Sequence, residues 1–540
     1  MDIKREIEKN VKEFLDAKVD KTPNIDMGDY CINVFKLAKE LKKNPKEIAE
    51  EIAKKLKEKN ILGVEDIKVF GGYINFYLDY FEIAKYLDTK FEKKNKKIIL
   101  EHTSANPNGP LHIGHLRNAI IGDSLKRIFK FYGYDVETHY YVNDMGRQMA
   151  LVVLGLEKFT LDKEKKKDHA IAEIYIKINK LLEENKDLED EIKKLMVEYE
   201  NSLKNNIENE ITKKYKFAVE YCLDGIKETL NNLNIEHDVF VWESNYIKNG
   251  LVYEILEMLK ETGKVEEEGN VLKLNLEDFG IEKRLVLTRE DGTTLYTTRD
   301  IAYHFDKIKK GKCIDVLGAD HKLTAEMLKC ALKLLNSDVP EIVFYEFISL
   351  PEGSMSTRRG RFISTDEFLE EAYKRALEEC KKRNISEDIA KKIAVGAVRF
   401  NIVKVSPEKS FIFKWEDALD FEKSGSPFIQ YAYVRCIRLL EKDKGELKKV
   451  DLCKEEKELI KQIYEFRYAV EEVVKNKKPS LLANYLIELA KIFNKFYEKC
   501  PILKESNEDL KKFRLYLVEK TKNTIETGLN LLGIECPERM

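Results

Sequence analysis

Two histidines three positions apart, His112 and His115, close the segment Pro107-Asn108-Gly109-Pro110-Leu111-His112-Ile113-Gly114-His115. The segment lies between an apolar run, Ile98-Ile99-Leu100, and an apolar-periodic stretch through Ile120, Leu125 and Ile128, a pattern that predicts a strand, a tight loop and a helix start. A helix N-terminus offers unpaired N–H groups and about half a positive charge, and two imidazoles there add donors aimed the same way. Such a place suits nucleotide phosphates during reaction. Glu101, Ser104 and Asn106 precede it, at the C-terminal strand edge where open α/β sheets bind ligands. Asp291 to Asp300 and Val316-Leu317-Gly318-Ala319-Asp320-His321 have the same look. Ser354-Met355-Ser356-Thr357-Arg358-Arg359-Gly360-Arg361 is a short loop whose three guanidinium groups could clamp a polyphosphate.

Such groups need a rigid frame. The helix stops at Gly133 and a strand follows over Val136 to Val142, so strand, helix, strand implies a parallel, doubly wound sheet. The catalytic domain is expected over 93–365, with a Lys/Glu-rich helical insertion at about 151–235 and a second insertion at about 243–294. Further short strands are expected near Val239, Leu272, Leu285, Val316 and Val343. Residues 1–92 read as a small α+β domain: Asn44-Pro45-Lys46-Glu47 is a capping box, Ile48, Ile52 and Leu56 repeat every four residues, and Ile74, Phe76 and Leu78 alternate. A helical connector is expected over 366–425 and an all-helical domain over 426–540.

Composition narrows the class. The 540 residues, 43% hydrophobic and 36% charged, predict a globular chain of several domains. A formal charge of -2 neither demands nor excludes a polyanionic partner, so nucleic-acid binding has to rest on local groups. Nine cysteines without a C-x-x-C pair argue against a disulfide framework and a thiolate zinc site, and no metal site is expected. Neither a signal peptide nor a membrane span is expected, and a cytoplasmic location follows. The lysine-rich run from Lys163 to Lys167 reads as a solvated face.

His112-Ile113-Gly114-His115 resembles the HIGH signature of class I aminoacyl-tRNA synthetases, and the loop Ser354 to Arg361 resembles a degenerate form of their KMSKS signature. The wording of Glu101 to Leu116, Asp291 to Asp300, Asp417 to Phe421, Gln430 to Ala432 and Leu532 to Met540 is similar to the arginyl-tRNA synthetase family over nearly the whole chain. In this loop Ser354 replaces the first lysine of the pattern, and Arg358 or Arg359 the second.

The resemblance implies a Rossmann-like HIGH-type catalytic domain, an N-terminal α+β domain touching the tRNA elbow and a C-terminal helical anticodon-binding domain. It implies an arginine–tRNA ligase that uses ATP and Mg²⁺ to make arginyl-adenylate and pyrophosphate, then loads tRNA(Arg), with L-arginine as substrate and a monomer as the working form. By resemblance, His112, His115, Ser356, Arg358 and Arg359 are catalytic. Asn106, Pro107, Asn108, Gly109, Pro110, Leu111, Ile113, Gly114, Gly318, His321 and Met355 join the two histidines around ATP, Gly114 letting the adenine side approach the backbone. Tyr296, Asp300 and Glu243 would surround the substrate guanidinium. Glu101, Ser104 and Asn106, with Asp320, would hold either the α-amino and carboxylate end or the reacting region. Asn494, Phe496, Tyr497 and Met540 would meet the anticodon, although the spacing of Phe493, Phe496 and Tyr497 also fits a buried stripe. Two alternatives stay open: a class I synthetase for another amino acid, and a catalytically silent tRNA-binding relative.

Overall fold

A computed structural model describes residues 2–350 and 363–540. The chain divides into two compact units, one of residues 1–90, 432–469 and 485–526, the other of 91–431, 470–484 and 527–540. At the centre of the second unit lies a five-stranded sheet in the order Glu341–Tyr345, Lys312–Gly318, Lys97–Glu101, Asp135–Val142, Val239–Trp242. All four pairings are parallel. Ile98, Ile99 and Leu100 are all buried, as a strand covered on both faces requires. The chain winds from Lys97–Glu101 to one edge and returns to build the other, so direction reverses between Lys97–Glu101 and Lys312–Gly318. There Glu101 and Asp315 are register partners. Ligands bind doubly wound sheets at such a reversal.

Val239, Val316 and Val343 join this sheet as the sequence predicts, whereas Leu272 and Leu285 belong to a separate antiparallel sheet of Val265–Glu268, Val271–Leu276 and Ile281–Val286. The Lys/Glu-rich stretch folds as four helices, Arg147–Lys158, Lys167–Glu184, Leu188–Lys204 and Glu210–Asn232. The lysine run beside them is not wholly solvated. Lys166 Nζ donates to Asp168 at 2.9 Å, Thr229 at 2.5 Å and Asp366 at 2.9 Å, which ties this insertion to the helix Thr365–Lys382.

In the other unit a four-stranded antiparallel sheet, Asp20–Lys21, Tyr30–Asn33, Tyr73–Leu78 and Val64–Phe70 in that order, packs with helices from 432–469 and 485–526. Buried Asp29 joins the two parts, accepting from the Leu78 N–H at 3.0 Å, the Tyr80 hydroxyl and the Lys461 ammonium at 3.0 Å. No helix among the described residues is long and apolar enough to cross a membrane.

One buried guanidinium holds much of the second unit together. Arg399, in the helix Ala390–Val403, donates to Asp123 on the histidine-bearing helix Ile113–Phe131 at 2.5 Å, to the Leu233 carbonyl at 2.5 Å and to the Leu532 carbonyl at 2.8 Å. Gly533 leaves the room, because a Cβ there would lie 2.0 Å from Arg399 Nη2. Arg399→Ala strands two carbonyls and halves the compensation of Asp123, which keeps Arg127 at 2.8 Å. The expected loss is about 3 kcal/mol, read as a lowered Tm.

Candidate functional site

The two histidines build the start of the helix they introduce. His112 is its N-cap: Nδ1 accepts from the Gly114 N–H at 3.0 Å and from the His115 N–H at 3.4 Å, while His115 Nδ1 accepts from the His112 N–H at 3.4 Å. This is a capping box made of imidazoles. The rings stack with centroids 3.7 Å apart. Since each Nδ1 accepts, each neutral ring carries its proton on Nε2. Burial holds His112 below the usual imidazole range, and burial plus the neighbouring His112 brings His115 down to about 3. Two first-turn N–H groups, those of Gly114 and His115, are therefore taken by the His112 ring, and each imidazole carries its own donor on Nε2. A Cβ on Gly114 would sit 2.9 Å from His112 Cε1 and 3.1 Å from Nδ1, so this glycine makes room for the folded-back ring.

The loop between strand and helix is strained and braced. Thr103 and Ser104 take φ of 70° and 40°, left-handed values uncommon for residues with a Cβ and costly for β-branched threonine. Asn118 holds the bend, accepting from the Thr103 N–H at 2.7 Å and donating to the Val316 carbonyl at 2.8 Å. Ser104 Oγ donates to Glu101 at 3.1 Å and accepts from the Tyr141 N–H at 3.0 Å. Asn106 and Asn108 both donate to Gln148 Oε1, at 2.7 and 3.3 Å. Gly109, between Pro107 and Pro110, backs onto Ala172 of the helical insertion, where a Cβ would lie 3.1 Å from the alanine's own.

Both flanks of the cationic segment are fixed to this helix. Before it, fully buried Arg117 donates to the carbonyls of Glu346 at 2.5 Å, Lys409 at 2.8 Å and Ser406 at 3.1 Å. After it, the Thr365 N–H donates to the buried Leu111 carbonyl at 2.7 Å, and Ser364 bridges His112. Met355, Ser356, Arg358 and Arg359 themselves lie outside the described residues.

The helix Tyr296–Ile308 lies beyond the sheet reversal. Tyr296 is 54% exposed and the Asp300 side chain 31% exposed. Two acids expected to meet substrate are already committed. Glu243 is fully buried, and its Oε1 accepts from Arg299 Nε at 2.7 Å, so an arginine of the chain itself occupies it. Burial pushes Glu243 up to about 7 against the pull of that guanidinium. Glu101 is likewise buried, with Oε2 bound by the Lys307 ammonium at 2.6 Å and Oε1 by Ser104. Asp320 and His321 are exposed neighbours 3.6 Å apart, and a Cβ on Gly318 would meet Asp320 Oδ1 at 2.4 Å. Sequence reasoning missed His304, Lys307 and Asp315. The signal was available: charged residues at 300, 304 and 307 share one helical face, and that face is buried.

In the 485–526 segment the aromatic stripe is core. Phe493 and Phe496 are 0% exposed, so Phe496 offers no face to a base, which corrects its expected anticodon role. Tyr497 is 39% exposed with the Arg435 guanidinium 4.5 Å from its ring centre, and Asn494 Oδ1 accepts from Arg435 at 2.5 Å. Met540 is buried.

A doubly wound sheet with capped, neutral imidazoles at its reversal defines a nucleotide-handling α/β enzyme. Residues 82–415 match the model of the class I (R) tRNA synthetase catalytic domain, 429–540 the DALR anticodon binding domain, and 1–78 the arginyl tRNA synthetase N-terminal domain. An arginine–tRNA ligase of Methanocaldococcus jannaschii is 62% identical over 100% of this chain and 98% of its own. One of Methanothermobacter thermautotrophicus is 46% identical over 97% and 95%. The solved Thermus thermophilus arginyl-tRNA synthetase superposes with a TM-score of 0.85 at 29% identity, covering 100% of this chain and 99% of that one. The chain belongs to the arginyl-tRNA synthetase family.

The imidazole geometry yields two tests. Gly114→Ala should unseat the His112 ring and slow amino-acid activation on the order of tenfold to a hundredfold, with tRNA affinity kept. Because both rings stay neutral, the ratio of wild-type to His115→Asn activation rates should remain constant from pH 8 to about 5.5. A ratio collapsing below about pH 6.5 would mean the ring titrates there, against the geometry.

Proposed function

We propose that the protein is an arginine–tRNA ligase of protein synthesis, acting as a cytoplasmic monomer on L-arginine, ATP and tRNA(Arg). The arginine carboxylate oxygen attacks the α-phosphorus of ATP, the bond to the β-phosphate oxygen breaks, and pyrophosphate leaves. A hydroxyl of the terminal tRNA ribose then attacks the activated carbonyl carbon, and AMP leaves. Neither step needs a protein nucleophile, so catalysis is positioning and charge stabilisation. The observation that carries the reading is the pair of neutral Nε2–H donors at the sheet reversal, which suits phosphate oxygens gaining charge.

Around them the roles follow from chemistry. Asp300 with Tyr296 meets the guanidinium, whose planar fork matches a carboxylate. Asn106, held through Gln148, and Asp320 take the α-amino and carboxylate end, and His321 and Gly318 flank the adenosine. Ser356, Arg358 and Arg359 grip the leaving pyrophosphate, a reading supported by the flanks of their loop, where the Glu346 carbonyl accepts from Arg117 and the Thr365 N–H donates to Leu111. Asn494 and Tyr497 face the anticodon. Mg²⁺ neutralises charge on the triphosphate. Of the acidic clusters in the catalytic unit, Glu101, His304 and Asp315 are spanned by Lys307, and Asp168 and Asp366 by Lys166, so neither is an open oxygen cage for it.

Incubation with total tRNA, ATP, Mg²⁺ and each of the 20 amino acids should give charging by arginine alone. Charging by another amino acid, or tRNA binding without charging, would replace the proposal by a synthetase of other specificity or a silent relative. Asp300→Asn should raise the KM for arginine roughly a hundredfold while ATP and tRNA binding survive. Equal loss of all three would assign Asp300 to folding.

A further inference from the structure

We infer that His304 is a positioning residue for arginine recognition, a buried cationic strut that fixes the Asp300 carboxylate for the substrate guanidinium. The inference rests on the reading of Asp300 as the guanidinium partner. One helical turn after Asp300, the His304 ring turns Nδ1 to the Asp300 carbonyl at 2.8 Å and to Asp300 Oδ1 at 3.1 Å, and Nε2 to Asp315 Oδ2 at 3.0 Å. All three partners accept and none donates, so both ring nitrogens carry hydrogen and the ring is an imidazolium. Burial and Lys307 push its proton affinity down, and Asp300 and Asp315 overcome both, holding it up at about 10. This is opposite to His112 and His115, where burial prevails.

The row continues inward. Asp315 Oδ1 accepts from Lys307 at 2.7 Å, and the same ammonium reaches Glu101 at 2.6 Å. Charges alternate from Asp300 through His304, Asp315 and Lys307 to Glu101, so three carboxylates face two cations and one negative charge is in excess. Beside the row, burial raises the Tyr303 and Tyr246 phenols, raises the Cys313 thiol to about 12 and lowers the His139 imidazole, while the Glu243–Arg299 ion pair also faces Asp300 and Asp306 meets the Tyr246 hydroxyl. A cation arriving at Asp300 balances the row; a neutral side chain does not. His304 binds one oxygen of Asp300, whose side chain stays 31% exposed, so the carboxylate keeps lone pairs for a guanidinium. His304 also bonds the Asp300 carbonyl, so carboxylate and backbone are set together.

The test measures steady-state constants for arginine, ATP and tRNA in the full-length enzyme, for His304→Gln, Asp315→Asn, Asp300→Asn and the double variant His304→Gln/Asp300→Asn. His304→Gln should raise the KM for arginine about tenfold with ATP and tRNA constants unchanged, and Asp315→Asn should do the same from behind the ring. In the Asp300→Asn background, His304→Gln should add no further rise. A ¹⁵N-histidine spectrum at pH 8.5 should hold one imidazole with both nitrogens protonated, absent from His304→Gln; the wild-type spectrum keeps the test alive if that variant does not fold. An unchanged arginine KM in His304→Gln beside a raised one in Asp300→Asn overturns the inference and spares the pocket reading. So does a uniform rise in all three constants, or no doubly protonated ring. An unchanged arginine KM in Asp300→Asn overturns the pocket reading, and the strut with it.

Discussion

The ammonium of Lys307 is what the sheet reversal depends on. Glu101, at the end of its strand, and Asp315, within the next, are register partners on neighbouring parallel strands, and two carboxylates buried side by side repel strongly in a low dielectric. Lys307, itself fully buried, meets both, with the Tyr303 ring 4.3 Å from its nitrogen. Desolvating three ions costs several kcal/mol each, and an apolar trio of the same volume would hold the strands at least as well. The charges are therefore better explained by what stands at the end of their row than by stability. They set the helix Tyr296–Ile308 against the strand ends with Asp300 at its exposed turn.

A parallel economy governs the opposite wall. The helix Ile113–Phe131 carries the imidazoles at its start, Arg117 and Asn118 a turn later and Asp123 a turn beyond. Each bonds a different part of the unit: the flank of the cationic segment, the strained bend at Thr103, and Arg399. Backbone strain at 103 and 104 persists only where its surroundings over-determine it, and here Asn118 and Tyr141 supply the bonds. The histidines are thus set by a rigid element and not by the loop that precedes them.

Much of this was legible in the residues, for physical reasons. Continuous apolar strands and a glycine stop read directly as a doubly wound sheet, because covered parallel strands need apolar residues on both faces. His112 and His115 stood out as two imidazoles at a helix start, where donors can meet phosphate, whereas Asp300 was named by resemblance to the family's guanidinium pocket. The pairing of Glu243 and Glu101 was not legible, because a carboxylate suited to a guanidinium or an ammonium serves a chain cation equally well, and Arg299 and Lys307 reach them only in the folded chain. Gly114 shows the same limit: sequence marks that space is needed, not that the His112 ring fills part of it. Leu272 and Leu285 alternate as any strand does, and alternation does not name the sheet.

Histidine serves two opposite ends within one catalytic unit, and the difference lies in its neighbours. His304 has carboxylates on both nitrogens and carries charge; His112 and His115 have backbone N–H groups on Nδ1 and burial around them, and do not. For phosphoryl chemistry the neutral state has an advantage. An imidazolium would hold ATP and departing pyrophosphate by full charge, strengthening ground-state and product binding as much as the transition state. A neutral Nε2–H, fixed in direction by the cap, gains most where negative charge grows on the oxygen it faces, and adds little to what arrives or leaves. The capping box makes this possible: the backbone donors that keep each Nδ1 unprotonated also orient the proton on Nε2.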